Sequence, residues 1–270
     1  MPAWQEFVSV IEQYFIGNLP FSFLRHRLLK RTMFVQLPND STKLQKKLVL
    51  EYFGMEKAKQ LLREHNTGAP ILNDFEYVSS GNTTHHLYHL AKFGTESGLR
   101  IENINSIVEW GGGYGNMARL AKTINKDMTY IIIDIPIFSY IQFVYLNSTL
   151  GRNAVVLCEQ EAGVEKGKVN IVPLHIPHLL ALVSQISGSD VFLSTWALSE
   201  SNLKTQELIR NLNYFEARNL LIAYQKEDEL FPFARNVEHI SDSYSVEFQS
   251  ETEYLKDNYY LFCKKIRDDC

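Results

Sequence analysis

The stretch SIVEWGGGYGNMARLAK, residues 106–122, runs from a short apolar, β-branched segment through a crowded glycine turn into an amphipathic segment. Gly111, Gly112, Gly113 and Gly115 are four of only 14 glycines in 270 residues. A strand that ends in such a turn and opens directly into a helix forms a ligand-binding corner. The missing Cβ atoms let a ligand reach the backbone, and the helix N-terminus presents free N–H groups. In a doubly wound sheet the first such strand lies at the switch point where ligands bind.

Downstream of residue 106 the same texture repeats, with short β-branched runs alternating with amphipathic segments of about a dozen residues, as parallel βαβ units require. Strands are expected at SIVEW (106–110), TYIIIDI (129–135), VNIVPL (169–174), DVFLST (190–195) and NLLIAY (219–224). GNMARLAKTIN, IFSYIQFVYLNSTL and TQELIRNLNYFEAR read as crossover helices, while NAVVLC (153–158) is either the third strand or an extra one before it. SYSVEFQS and NYYLFCKK are joined by the short polar ETEYLKD, which leaves no room for a crossover helix, so these two strands should pair antiparallel. Residues 1–64 show helical periodicity, with Asn39 to Ser41 as a cap region; a polar stretch follows to Thr83, and THHLYHLAKFG reads as a helix ending at Gly94. The expected fold is α/β, a doubly wound, mostly parallel seven-stranded sheet with an antiparallel last strand. A helical region over 1–100 precedes a Rossmann-like domain over 101–270.

The composition, 45% hydrophobic and 12% aromatic, supports a large buried core. Residues 1–105 carry 12 basic and 10 acidic side chains and the rest 15 and 21, for a net charge of −4. That balance argues against a nucleic-acid partner. Cys158, Cys263 and Cys270 are odd in number and outside any C-x-x-C pair, which fits a reducing compartment and excludes a Cys-rich metal site. The N-terminal segment lacks a basic signal-peptide start, and the longest apolar run is broken by Asp134 and Pro136, so a cytoplasmic protein without membrane insertion is expected.

Two cofactor classes compete for the glycine corner. The dinucleotide fingerprint G-x-G-x-x-G/A fits only in the frame Gly113, Gly115, Ala118, and so does not decide. The acid inside the strand gives E-x-G-x-G-x-G over Glu109, Gly111, Gly113 and Gly115, and this resembles motif I of class I S-adenosylmethionine-dependent methyltransferases. Asp134 ends the next strand, where a carboxylate can hold the ribose hydroxyls of either cofactor. The reversed final strand pair and the preceding helical region also resemble the methyltransferases. In longer wording, EWGGGYGNMARL, YIIIDIPIFSYIQFVYL and DVFLSTWALSE resemble a family of sugar O-methyltransferases from bacterial surface-polysaccharide gene clusters, over roughly residues 80–225. Trp110 and the opening Ser of STWALSES depart from that pattern. The resemblance implies S-adenosyl-L-methionine as cofactor, contacted by Glu109, Gly111, Gly113, Tyr114, Gly115 and Asp134, and a sugar hydroxyl on a glycan or small molecule as acceptor. An NAD(P)-dependent oxidoreductase and a non-catalytic, cofactor-binding partner subunit are the alternatives.

Methyl transfer to a hydroxyl calls for a general base at the C-terminal ends of the strands. Glu200, leaving the fourth strand, is the first candidate, because the resembling family has an acid there; helix-dipole compensation is its structural explanation. His175 and His178, in VPLHIPHLL, are the second choice. His85 and His89 are four apart on one helical face, a spacing that can ligate zinc, but no third ligand is near. They and Trp196 are assigned to the acceptor, and no metal is expected. The basic segments RHRLLKR and KLQKK read as solvated helix faces or as an attraction for an anionic acceptor. Oligomeric state is open, with a homodimer compatible.

Overall fold

The computed structural model describes residues 2–34, 39–159 and 162–266. Cys270 and part of the Asn39–Ser41 cap region lie outside the residues whose side chains are described. Five helices open the chain: α1 (Pro2–Phe15), α2 (Arg27–Met33), α3 (Asn39–Phe53), α4 (Met55–Leu62) and α5 (Gly81–Ser97). The polar stretch before α5 carries a small hairpin, β1 (Leu72–Asp74) and β2 (Ser79–Ser80), that sequence periodicity did not reveal. Its strands are too short for a period-2 pattern to show.

The alternation that follows is β3 (Ser106–Trp110), α6 (Asn116–Ile124), β4 (Thr129–Asp134), α7 (Pro136–Leu150), β5 (Val155–Leu157), β6 (Val169–Pro173), α8 (Ile176–Ile186), β7 (Val191–Thr195), α9 (Leu203–Asn211) and β8 (Asn219–Gln225). The hairpin β9 (Tyr244–Glu251) and β10 (Asn258–Lys265) ends the described chain. The sheet has eight strands, not seven, in the order β5-β6-β4-β3-β7-β8-β10-β9. NAVVLC supplies the extra member, β5, parallel to β6 at the edge. β10 slots between β8 and β9, antiparallel to both, as the short ETEYLKD connection requires.

Side chains alternate across each strand. On β3, Ile107 packs on the face covered by the N-terminal helices, α6 and α7, while Val108 and Trp110 pack on the opposite face against α8 and α9. The first core runs without interruption from Ile11 and Phe15 of α1 through Leu87 and Phe93 of α5 to Phe262 of β10. A buried ion pair reinforces that seam: Arg119 of α6 meets Glu64, just past α4, at 3.3 Å. Glu64 also accepts from Thr83 Oγ1 at 2.6 Å and from the Ser80 hydroxyl.

Two helix ends differ from expectation. α5 continues past Gly94 to Ser97 and is capped by Gly98 at φ +69°. Gly94 is an interior position because the Tyr52 ring occupies the space a side chain would need. The segment TQELIRNLNYFEAR breaks after Asn211, and Asn213 to Glu216 follow in a left-handed turn with φ between +49° and +56°. Left-handed backbone is costly for residues with a Cβ. Here the buried rings of Tyr214 and Phe215 hold it. Among the described residues no helix is long and apolar enough to cross a membrane.

Candidate active site

A cavity of about 760 Å³ opens at the C-terminal ends of β3, β4 and β7, roofed by α1, α2 and α5. Gly111, Gly112 and Gly113 form its floor. Gly111 adopts φ +79°, and a side chain there would overlap Ala197, so the glycine allows the loops after β3 and β7 to touch. Gly113 is different: the space beside its Cα holds nothing closer than Met33 at 3.9 Å, so its backbone is open to a ligand. Gly115, assigned from sequence to the cofactor, is not in the cavity wall. It is the left-handed N-cap of α6, packed on Leu146. Tyr114 does reach the wall, stacked on Phe34 at 5.5 Å, with its hydroxyl accepting from Asn82.

Two acids stand beside the glycines. Glu109 is buried on the α6 face of β3, and Tyr130 donates to its Oε2 at 2.9 Å. Burial raises its carboxyl to about 8, against the Tyr130 bond and with help from Asp134. Asp134, at the end of β4, accepts from Gly112 N (2.9 Å) and Gln142 Nε2 (2.7 Å) at Oδ2, and from Ile135 N (2.8 Å) at Oδ1. Burial outweighs these bonds and lifts it to about 7. Gln142 also donates to the carbonyl of Gly113 at 3.0 Å, tying α7 to the turn. The backbone N–H of Gly113 also acts on Asp134, so the carboxyl is tied to the turn on one side and to α7 on the other.

Glu200 follows β7 and lines the same cavity. Among the described residues its carboxyl has no hydrogen-bonding or ionic partner, and desolvation, with the charge of Asp228 second, lifts it to about 7. Trp196, the first residue after β7, is held at φ +65°, a rare conformation for a bulky side chain. Its indole N–H donates to Asn258 Oδ1 at 2.6 Å and its ring stacks on His85. His85 and His89 line the cavity but spend their ring nitrogens on each other and on the core. Their Nε2 atoms lie 3.1 Å apart, His89 Nδ1 meets the Tyr260 hydroxyl at 2.5 Å, and His85 Nδ1 meets Gln45. Burial keeps both neutral, His85 at about 3.

His175 and His178 are not brought to this cavity. His175 is exposed ahead of α8, and His178 bonds the carbonyl of Cys158 at 2.9 Å on the far side of β6. Neither is among the residues that line the cavity, although Leu174 beside His175 is.

Two participants, Gln225 and Gln142, escaped the sequence reading, and His86 stands among the histidines of THHLYHLAKFG that it weighed for ligand contact. His86 lines the cavity, and burial and Arg119 push it down to about 3. Arg119 and Tyr145 donate to Asn116 Oδ1, so the Asn116 amide nitrogen donates to His86 Nδ1, leaving the proton of the neutral ring on Nε2. Gln225 offers a buried Nε2 with no partner among the described residues, its Oε1 being held by Ser199. Gln142 carries no motif; only its position nearly two helical turns into α7 brings it under the glycines.

No family model matches this sequence, and no curated protein does. Solved structures similar to it include the magnesium protoporphyrin IX methyltransferase of Synechocystis PCC 6803 with bound S-adenosylmethionine. The two are 11% identical over 82% of this chain and 97% of that one, with a TM-score of 0.46. The mitomycin 7-O-methyltransferase is 12% identical over 69% of this chain, which spans only 57% of that enzyme, with a TM-score of 0.44. TrmK of M. capricolum, in complex with S-adenosyl-homocysteine, is 13% identical over 64% and 67%, with a TM-score of 0.43. Likeness at this level concerns fold only, and the sheet speaks to it directly: the mostly parallel order with β10 reversed between β8 and β9 is the class I methyltransferase type of α/β fold.

Proposed function

We propose that this chain is an S-adenosylmethionine-dependent O-methyltransferase acting in the cytoplasm on a hydroxyl, with a sugar hydroxyl as the acceptor. The observation that carries the reading is the convergence, in one cavity, of an open glycine backbone, two acids beside it and the unpaired carboxyl of Glu200. The residues present suit the cofactor. Gly113 leaves backbone room for it, and the Asp134 carboxyl lines the cavity beside the turn as a partner for a ribose hydroxyl. When bound, the cofactor supplies an electrophilic methyl group on a sulfonium.

The protein's own contribution is to orient and to move one proton. Glu200, with a proton affinity matched to neutral pH, accepts the proton of the acceptor hydroxyl at its carboxylate as the oxygen becomes a nucleophile, worth about 10²- to 10⁴-fold in rate. Holding acceptor and methyl donor in line inside the cavity contributes further, on the order of 7–11 kcal/mol in well-oriented systems. Three features support a polyhydroxylated acceptor: the Trp196 ring as an apolar platform, and the Gln225 Nε2, without a partner among the described residues, and the Nε2–H of His86 as donors.

Calorimetric titration with S-adenosylhomocysteine and with NAD tests the assignment. Binding of the first and not the second is expected. NAD binding without S-adenosylhomocysteine binding would make the chain an oxidoreductase instead.

A further inference from the structure

The cavity is acidic. Glu12, Glu109, Asp134, Glu200 and Asp228 line it, and Arg31 is its one arginine or lysine. Its mouth has the opposite sign. Arg25, Arg27, Lys30, Arg31 and Phe34 wall a second hollow of about 460 Å³, and Arg31 and Phe34 belong to both hollows. Phe34 stacks on Tyr114 of the glycine turn, so the basic hollow adjoins the turn.

Two of these four cations have uncharged partners in the fold, Arg25 donating from Nε to the carbonyl of Ala69 at 2.7 Å and Arg31 lying over the Phe7 ring at 5.2 Å, and neither contact neutralises charge. Among the residues whose side chains are described, no carboxylate lies within 4.0 Å of any of the four. Arg27 is the first residue of α2, after the His26 cap, where the helix dipole disfavours a cation. Arg27 also stands three residues from Lys30 and four from Arg31, so like charges share one helical face. A chain with net charge −4 thus concentrates positive charge without a carboxylate partner beside a cavity lined by carboxyl groups. The proposed cofactor carries a net positive charge and has no use for such a rim. A second ligand of opposite sign does.

We infer that the rim binds the diphosphate of an anionic acceptor, whose hydroxyl end then enters the cavity towards Glu200. The inference rests on the methyl-transfer reading for the acceptor's role and on the charge of the rim for its chemistry. Guanidinium groups pair with phosphate oxygens in two-point fashion, which suits three arginines and a lysine to adjacent phosphates. A nucleoside diphosphate and a lipid diphosphate share this chemistry.

The test is calorimetry with inorganic pyrophosphate on the full chain and on the double variant Arg27→Gln, Lys30→Gln, with S-adenosylhomocysteine titrated in parallel. The wild-type protein should bind pyrophosphate at low ionic strength and lose affinity as salt rises. The double variant should bind it at least tenfold more weakly while holding S-adenosylhomocysteine as before. No pyrophosphate binding by the wild type, or equal binding by the variant, overturns the inference. Uridine diphosphate and farnesyl diphosphate are then offered as competitors: displacement by either supports it and names the carrier, and displacement by neither overturns it. A protein that binds pyrophosphate through the rim but not S-adenosylhomocysteine keeps the anion site and sinks the methyl-transfer reading, so the two failures are distinguishable.

Discussion

The backbone N–H of Gly112 donates to Asp134 Oδ2 at 2.9 Å, so the acid that ends β4 holds the turn that ends β3. Asp134→Ala therefore removes a ligand contact and the acceptor for three internal donors at once. S-adenosylhomocysteine affinity should fall by about 1.5–3 kcal/mol for each charge-assisted bond lost, and thermal stability should fall with it. Titration calorimetry and a melting curve check both. Unchanged affinity would remove Asp134 from the cofactor site.

Glu200→Gln keeps shape and volume but cannot take a proton. Turnover should drop about 10²- to 10⁴-fold, with S-adenosylhomocysteine binding within about twofold of wild type. Because burial places this carboxyl at about 7, wild-type kcat should rise with pH through that value as the base ionises, and the variant should lose that limb. Equal turnover in the two proteins would leave Glu200 a helix-end charge.

Glu109 links stability to pH. Its carboxyl is raised to about 8 in the folded chain against 4.5 when unperturbed, so the folded state retains a proton that the unfolded state has released. Stability should accordingly fall as pH rises from about 4.5 to 8, by about 1.4 kcal/mol for each tenfold change in proton affinity. Urea midpoints at pH 5 and pH 8 measure the slope. Glu109→Gln should make the fall shallower than in wild type, leaving the falling parts due to Asp134 and Glu200 and the opposing rise due to the buried histidines; an unaltered slope would show that Glu109 titrates normally.

At Gly111 a side chain meets both a positive φ and Ala197. Gly111→Ala should destabilise by about 1–3 kcal/mol and abolish cofactor binding. Adding Ala197→Gly removes the overlap but not the backbone strain, so it should restore part of the stability. No recovery in the double variant would mean that backbone strain alone sets the cost.

Much of this architecture is legible in the chain. Each of the five parallel strands read from β-branched runs is present, because a strand buried on both faces needs such residues along its whole length. NAVVLC stayed ambiguous because three paired residues carry little pattern. Gly94 was misread as a cap because only the fold brings the Tyr52 ring to it. The left-handed turn at 213–216 has no glycine to announce it, since its conformation is enforced by the burial of Tyr214 and Phe215. In the site, the glycines, Glu109, Asp134, Trp196 and Glu200 come from motifs at strand ends, where chain order fixes position. His86 meets Asn116, Gln142 the Gly113 carbonyl and Gln225 the Ser199 hydroxyl, partners 26 to 30 residues away, and proximity of that kind leaves no local signature.

The buried Arg119–Glu64 pair has a mechanical consequence. It fastens the end of α4 to α6, the helix that begins at the glycine turn, while the core beneath it runs unbroken from α1 to β10. Residue 100 is therefore a border between kinds of secondary structure and not a joint between bodies. Cutting there would strand a charge in each fragment and expose half of a shared interior. The chain should melt in a single cooperative step, and the cavity under its helices should inherit the rigidity of the whole.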